Sequence, residues 1–92
     1  MIGYLRGKII SSKQKKILLD VNGVGYEINI SINTFENLTD KEEVSLFIHT
    51  IVREDSITLF GFYAEAEKEM FNLLISVNGI GPKIALSILS GI

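Results

Sequence analysis

Val77-Asn78-Gly79-Ile80-Gly81-Pro82-Lys83 is the stretch of this 92-residue chain best suited to hold an anion. Gly79 and Gly81 flank one apolar residue. A glycine reaches positive φ and, lacking a Cβ, lets another molecule's backbone come close. Ile80 is expected to tuck inward and pin the turn. Pro82 suits the first position of a helix, where its missing N–H costs little and its φ is preset. The amides near Gly79, Gly81, Lys83 and Ile84 would then face outward at a helix start, where unsatisfied N–H groups make an anion site. Lys83 adds a mobile positive charge. The anion that fits a flat cradle blind to base sequence is a nucleic-acid phosphate.

Two helices must hold this turn. Met70, Phe71, Leu73, Leu74 and Val77 recur at helical spacing and predict a helix over 64–76. Ile84, Ala85, Ile88 and Leu89 predict one apolar side of a second helix over 82–90, with Gly91 as its stop. Apolar residue, spacer, Gly-apolar-Gly, then a small residue where the second helix packs is the pattern of a helix-hairpin-helix that grips a DNA backbone. An ordinary αα-hairpin turn is the bland alternative.

Glu54 and Asp55 are the second informative feature. At a hairpin tip, two carboxylates repel phosphates and steer strands around them. As metal ligands they are poorly arranged, because adjacent side chains on a strand point to opposite faces. A solvated acidic turn is the plain alternative.

Composition sets further bounds. Hydrophobic residues make up 47% and charged residues 22%, values of a globular chain. No apolar run reaches the roughly 20 residues of a membrane span, and no cysteine is present for a disulfide or thiolate site. A cytosolic protein with no membrane partner is the simplest expectation. The net charge of −2 opposes a polyanionic partner, and residues 1–62 carry seven Lys/Arg against eight Asp/Glu. DNA affinity must therefore come from placement, and several copies acting together would raise it. His49 is the lone histidine and is expected to have a strand-surface or packing role rather than to bind metal. There is no P-loop and no triad motif, so no cofactor and no catalytic residue are expected.

Ahead of the helices the pattern is of strands. Residues 2–10 read as the first, with Gly3 and Gly7 as bends or bulges, and Ser11–Lys16 as a polar turn whose three lysines are solvated rather than a phosphate patch. Ile17–Val21, the Asn22-Gly23 turn and alternating Val24, Tyr26, Ile28 and Ile30 form a hairpin. Asn33 or Thr34 is expected to cap a short helix to Leu38. Val44–Arg53 and Ser56–Phe62 are the last strands, joined at Glu54-Asp55. Five antiparallel strands with that helix between the third and fourth match a small Greek-key barrel of oligonucleotide-binding (OB) type. Phe47, Phe60, Phe62, Tyr4 and Tyr26 are expected to pack rather than stack on bases.

Met1-Ile2-Gly3-x-Leu5-Arg6-Gly7, Val24-Gly25-Tyr26-Glu27, Val52-Arg53-Glu54-Asp55, Leu59-Phe60-Gly61-Phe62 and Asn78-Gly79-Ile80-Gly81-Pro82-Lys83-x-Ala85-Leu86-x-Ile88-Leu89-Ser90-Gly91 together resemble RuvA, a family of bacterial Holliday-junction-binding subunits. The resemblance covers essentially the whole chain. It implies an OB barrel over 1–62, the first helix-hairpin-helix over 63–92, and a homotetramer holding an open four-way junction. It implies no enzymatic activity in this subunit, whose ATP-driven motor partner is RuvB, with the RuvC resolvase as a further partner. Glu54 and Asp55 match an acidic pin where strands cross, and Arg53 its basic neighbour. Asn78, Gly79, Gly81, Lys83 and Ile84 match the first hairpin's backbone contacts. The family carries a second hairpin and a motor-engaging domain beyond the first, so the sequence reads as an N-terminal part. A general single-strand-binding OB module and the DNA-anchoring domain of a repair enzyme are the competing readings.

Overall fold

The computed structural model describes residues 1–91. Five strands, β1 (Tyr4–Lys13), β2 (Lys16–Val21), β3 (Val24–Ile30), β4 (Glu43–Arg53) and β5 (Ser56–Phe62), close into a barrel in the order β1-β2-β3-β5-β4. Helix α1 (Ile32–Asn37) links β3 to β4, and α2 (Glu65–Ile75) and α3 (Pro82–Leu89) follow the barrel. This is the expected OB barrel plus helical hairpin, with one correction to the sheet. β3 and β5 run parallel, because the chain passes through α1 and β4 before β5 returns beside β3.

Alternation fills the barrel. Leu5, Ile17, Leu19, Ile28, Ile30, Val44, Leu46, Ile48 and Leu59 form its buried interior, with Leu38 closing one end. The β1–β2 turn is tighter than expected. β1 runs to Lys13, and only Gln14 and Lys15 form the turn. The bulge lies between Ile9 and Ser11 rather than at Gly3 or Gly7. Gly7 serves close approach instead, since a Cβ there would sit 2.2 Å from the Asp20 carbonyl oxygen. The Asn22-Gly23 turn has φ of 52° and 90°, the two left-handed residues of a type I′ hairpin, and the Gly23 amide donates to Asp20 Oδ1 at 2.8 Å. In β3, Ile28 and Ile30 are buried, whereas Val24 at the hairpin end is exposed.

Helix α1 is capped by Ser31, not by Asn33 or Thr34. Ser31 Oγ accepts from the Thr34 amide at 3.1 Å, and Thr34 itself is fully buried. The apolar sides of the last two helices also differ from expectation. Phe71 is buried and Leu74 half-buried, but Met70, Leu73 and Val77 are exposed. On α3 the packed face is Ala85, Leu86 and Leu89, while Ile84 and Ile88 point outward. Periodicity locates a helix; which apolar side meets the barrel depends on where the barrel is.

Candidate nucleic-acid interface

The hairpin between α2 and α3 is closed by a short chain of main-chain bonds. The Val77 amide donates to Leu74 O and the Ile80 amide to Val77 O, both at 3.1 Å. Ile80 packs inward against the second core cluster, as its type predicts. Gly79 has φ of +89°, a conformation glycine adopts without strain. Gly81 is different. Its φ of −87° suits any residue, and a Cβ there would meet nothing within 4 Å. Nothing inside the described chain demands glycine at 81, so its value lies in leaving the outer surface bare.

Gly81 is also the N-cap of α3, and it supplies no side-chain cap. Pro82 occupies the first turn as expected. The first captured amide is Ala85, which donates to Gly81 O at 3.0 Å. Among the described residues, the amides of Asn78, Gly79, Gly81, Lys83 and Ile84 donate to no protein acceptor. Asn78, Gly79, Lys83 and Ile84 are exposed residues and Gly81 is half-buried, and Lys83 and Ile84 lie in the first turn of α3, its positive end. The Ile80 amide is already engaged and stands outside the cradle.

Glu54 and Asp55 form the two-residue tip between β4 and β5, where Arg53 pairs with Ser56. All four are exposed. Neither acid has positive φ, so this turn is not of the primed type that Asn22-Gly23 adopts. A cleft of about 410 Å³ runs between this ribbon and the hairpin, lined by Arg53, Thr58 and Phe60 on one side and by Gly81, Lys83 and Ile84 on the other. The structure thus brings Arg53, beside the acidic tip, and three of the five cradle residues, Gly81, Lys83 and Ile84, onto one cleft with no carboxylate in its lining; Asn78 and Gly79 lie outside it. Thr58 has no signal in the sequence as a lining residue, because strand alternation assigns it only to a wall; Phe60, weighed there as a base stacker and expected to pack, is buried. Among the described residues no three His, Cys, Asp or Glu side chains converge as a metal site.

Two anchors hold the hairpin at that angle. Phe71 of α2 meets Phe60, Phe62 and His49 with ring centroids 5.3, 5.0 and 5.3 Å away. Burial and the nearby Lys68 lower the His49 pKa from 6.5, and a side-chain hydrogen bond with Asn72 partly offsets them. At the other end, Glu67 accepts from Ser31 Oγ and Thr34 Oγ1, each at 2.7 Å, and Thr34 Oγ1 accepts in turn from the Tyr63 amide. Ser90 Oγ accepts from the Ile32 amide at 3.0 Å, and Asn33 Nδ2 donates to Leu89 O at 2.7 Å. Both helices are therefore clamped to the start of α1, a contact network the sequence pattern does not reveal.

Comparison with known families meets this geometry at both of its parts. The profile described as RuvA N terminal domain matches residues 1–61, which hold the acidic tip and all of the barrel but Phe62, the last residue of β5. The chain belongs to the RuvA family. A second profile, described as SAM-like Helix-hairpin-helix tandem, matches residues 71–92. Proteins named Holliday junction branch migration complex subunit RuvA are similar along the full chain. That of Coxiella burnetii is 53% identical over 93 residues, covering 100% of this chain and 46% of the relative. That of Bdellovibrio bacteriovorus is 55% identical, covering 99% and 47%. That of Legionella pneumophila is 51% identical, covering 100% and 47%. This RuvA-family chain spans about half the length of the curated relatives it matches. No helix among its described residues is long and apolar enough to cross a membrane.

Proposed function

We propose that this chain is the DNA-gripping part of a non-motor subunit that binds four-way junctions during branch migration in recombination and repair. Residues 1–62 form the barrel unit with the acidic tip, and residues 63–92 the first hairpin. The main-chain donors of Asn78, Gly79, Gly81, Lys83 and Ile84, with the Lys83 ammonium, hold the sugar-phosphate rail of one arm. Four copies in a symmetric tetramer sum these contacts, which carry no sequence information. Glu54 and Asp55 stand at the crossover and keep strands from collapsing onto one another, with Arg53 holding a phosphate beside them. Branch migration is driven by a separate ATP-consuming motor, RuvB, and resolution by RuvC; this subunit performs no covalent chemistry.

The observation that carries the reading is the cradle of unpaired amides around a glycine the fold itself does not require. The name of the relatives points the same way. The exposed apolar residues Met70, Leu73, Val77, Ile84 and Ile88 suit the docking of a second hairpin, as the tandem description implies. The single-strand-binding reading needs free aromatic rings on the barrel face; Phe60 and Phe62 are buried against Phe71 and Phe47 and Tyr26 are half-buried, while Tyr4, against expectation, is exposed with its ring edge-on to Phe47. A gel-shift series with four-way junction, linear duplex and single strand, run with native mass spectrometry, tests the proposal. Preference for the junction by a tetramer is expected; equal affinity for all three DNAs contradicts it.

A further inference from the structure

The β1–β2 turn reads in sequence as a solvated loop, but the fold places it against α3. Lys15 O accepts from the Ile30 amide at 3.0 Å, and two residues later the Ile32 amide donates to Ser90 Oγ. These bonds set the turn beside the last turn of α3. Between them lies a cleft of about 510 Å³. Lys15 and Lys16 line it from the barrel side, Lys83, Ser87 and Ser90 from one face of α3, and Phe60 forms part of its wall. No aspartate or glutamate lines it.

This cleft shares Thr58, Phe60 and Lys83 with the one that reaches Arg53. The two clefts therefore adjoin, with Lys83 on their shared border. Four of the nine Lys and Arg residues of a chain with net charge −2 thus line two adjoining carboxylate-free clefts. Such segregation concentrates positive potential where the overall charge would repel a polyanion. Ser90 Oγ already donates to Leu86 O at 2.8 Å, so the hydroxyls left to donate into the cleft are those of Ser87 and Thr58. Spaced cations with neutral hydroxyl donors suit successive phosphates.

We propose that Lys15 and Lys16 form a second phosphate-binding station, which carries the duplex backbone past the hairpin cradle and along α3 onto the β1–β2 turn. The proposal rests on the hairpin's being a DNA-backbone site and extends its footprint. The ligand is the phosphodiester backbone of duplex DNA. A free mononucleotide shares the phosphate chemistry and is the competing source.

Fluorescence anisotropy with a labelled 16-base-pair duplex, over a series of salt concentrations, tests it on the 92-residue chain. Each cation that neutralises a phosphate steepens the log–log salt slope by about 0.9. The Lys15→Gln/Lys16→Gln pair should make the slope shallower by about 1.8, and Lys83→Gln by about 0.9. Lys8→Gln/Lys41→Gln, an equal charge change at residues that line neither cleft, should leave it unchanged. Circular dichroism of each variant checks the fold. If Lys83→Gln flattens the slope while Lys15→Gln/Lys16→Gln does not, the second station is overturned and the hairpin site stands. If Lys83→Gln and the Lys15→Gln/Lys16→Gln pair both match the parent, both fall. An equal effect from the control pair, or displacement of the duplex from the parent by adenosine monophosphate at near-stoichiometric concentration, also overturns the proposal.

Discussion

Gly81 is the residue at which folding and binding can be separated. Serine at an N-cap accepts a hydrogen bond from the second or third amide of the helix, here Lys83 or Ile84. Those are the donors assigned to phosphate. Gly81→Ser should therefore hold or slightly raise the melting temperature, by a few tenths of a kcal/mol in stability. It should weaken DNA binding by about tenfold, the loss of roughly one charge-assisted bond. Thermal denaturation and a binding isotherm on the same sample check the pair. At the acidic tip, Glu54→Gln with Asp55→Asn should leave junction affinity equal or tighter and change strand movement at the crossover. A clear loss of affinity in the gel shift would count against the steering role. His49 gives a pH signature. Its pKa is lowered in the folded chain, so between that value and 6.5 the unfolded chain binds more protons. Its contribution is full above 6.5 and is lost as pH falls through the lowered folded value. Urea midpoints should drop on acidification through this window, and less so in His49→Gln.

At the scale of elements, the two ends of the interface are held by different physics. Phe71 is an apolar anchor with no exposed surface, wedged among Phe60, Phe62 and His49. Phe71→Ala should cost on the order of 3–5 kcal/mol, a large share of the roughly 5–15 kcal/mol typical of a domain. It should also return the His49 pKa toward 6.5, which imidazole resonances followed against pH will report. The Glu67 clamp on Ser31 and Thr34 is polar and fully satisfied. These differences explain what was legible beforehand. The Asn22-Gly23 turn, the strand alternation and the Pro82 helix start are local patterns and carry over almost unchanged. The α1 cap was not legible: Ser31, Asn33 and Thr34 are all competent cappers within four positions, and the contacts of Ser31 and Thr34 with Glu67 come from far along the chain. The parallel β3–β5 pairing and the outward Ile84 and Ile88 likewise depend on partners distant in sequence.

For the whole molecule, the charge balance is the instructive quantity. Composition alone argues against a nucleic-acid partner, but the fold places Lys15, Lys16, Arg53 and Lys83 on clefts that no carboxylate lines, with Glu54 and Asp55 at the β4–β5 tip. The candidate site was readable in its types and spacing at residues 78–84. Its continuity with Arg53 was not, because that requires the barrel to set the β4–β5 ribbon beside α3. The central claim is that exposed main-chain amides of the hairpin receive DNA phosphate. The most direct measurement is a titration of the ¹⁵N-labelled chain with a four-way junction, following amide resonances. The account predicts that Asn78, Gly79, Gly81, Lys83 and Ile84 shift first and furthest, while Ile80, whose amide is already bonded, moves less. Unshifted hairpin amides, with the changes confined to another surface, would contradict it.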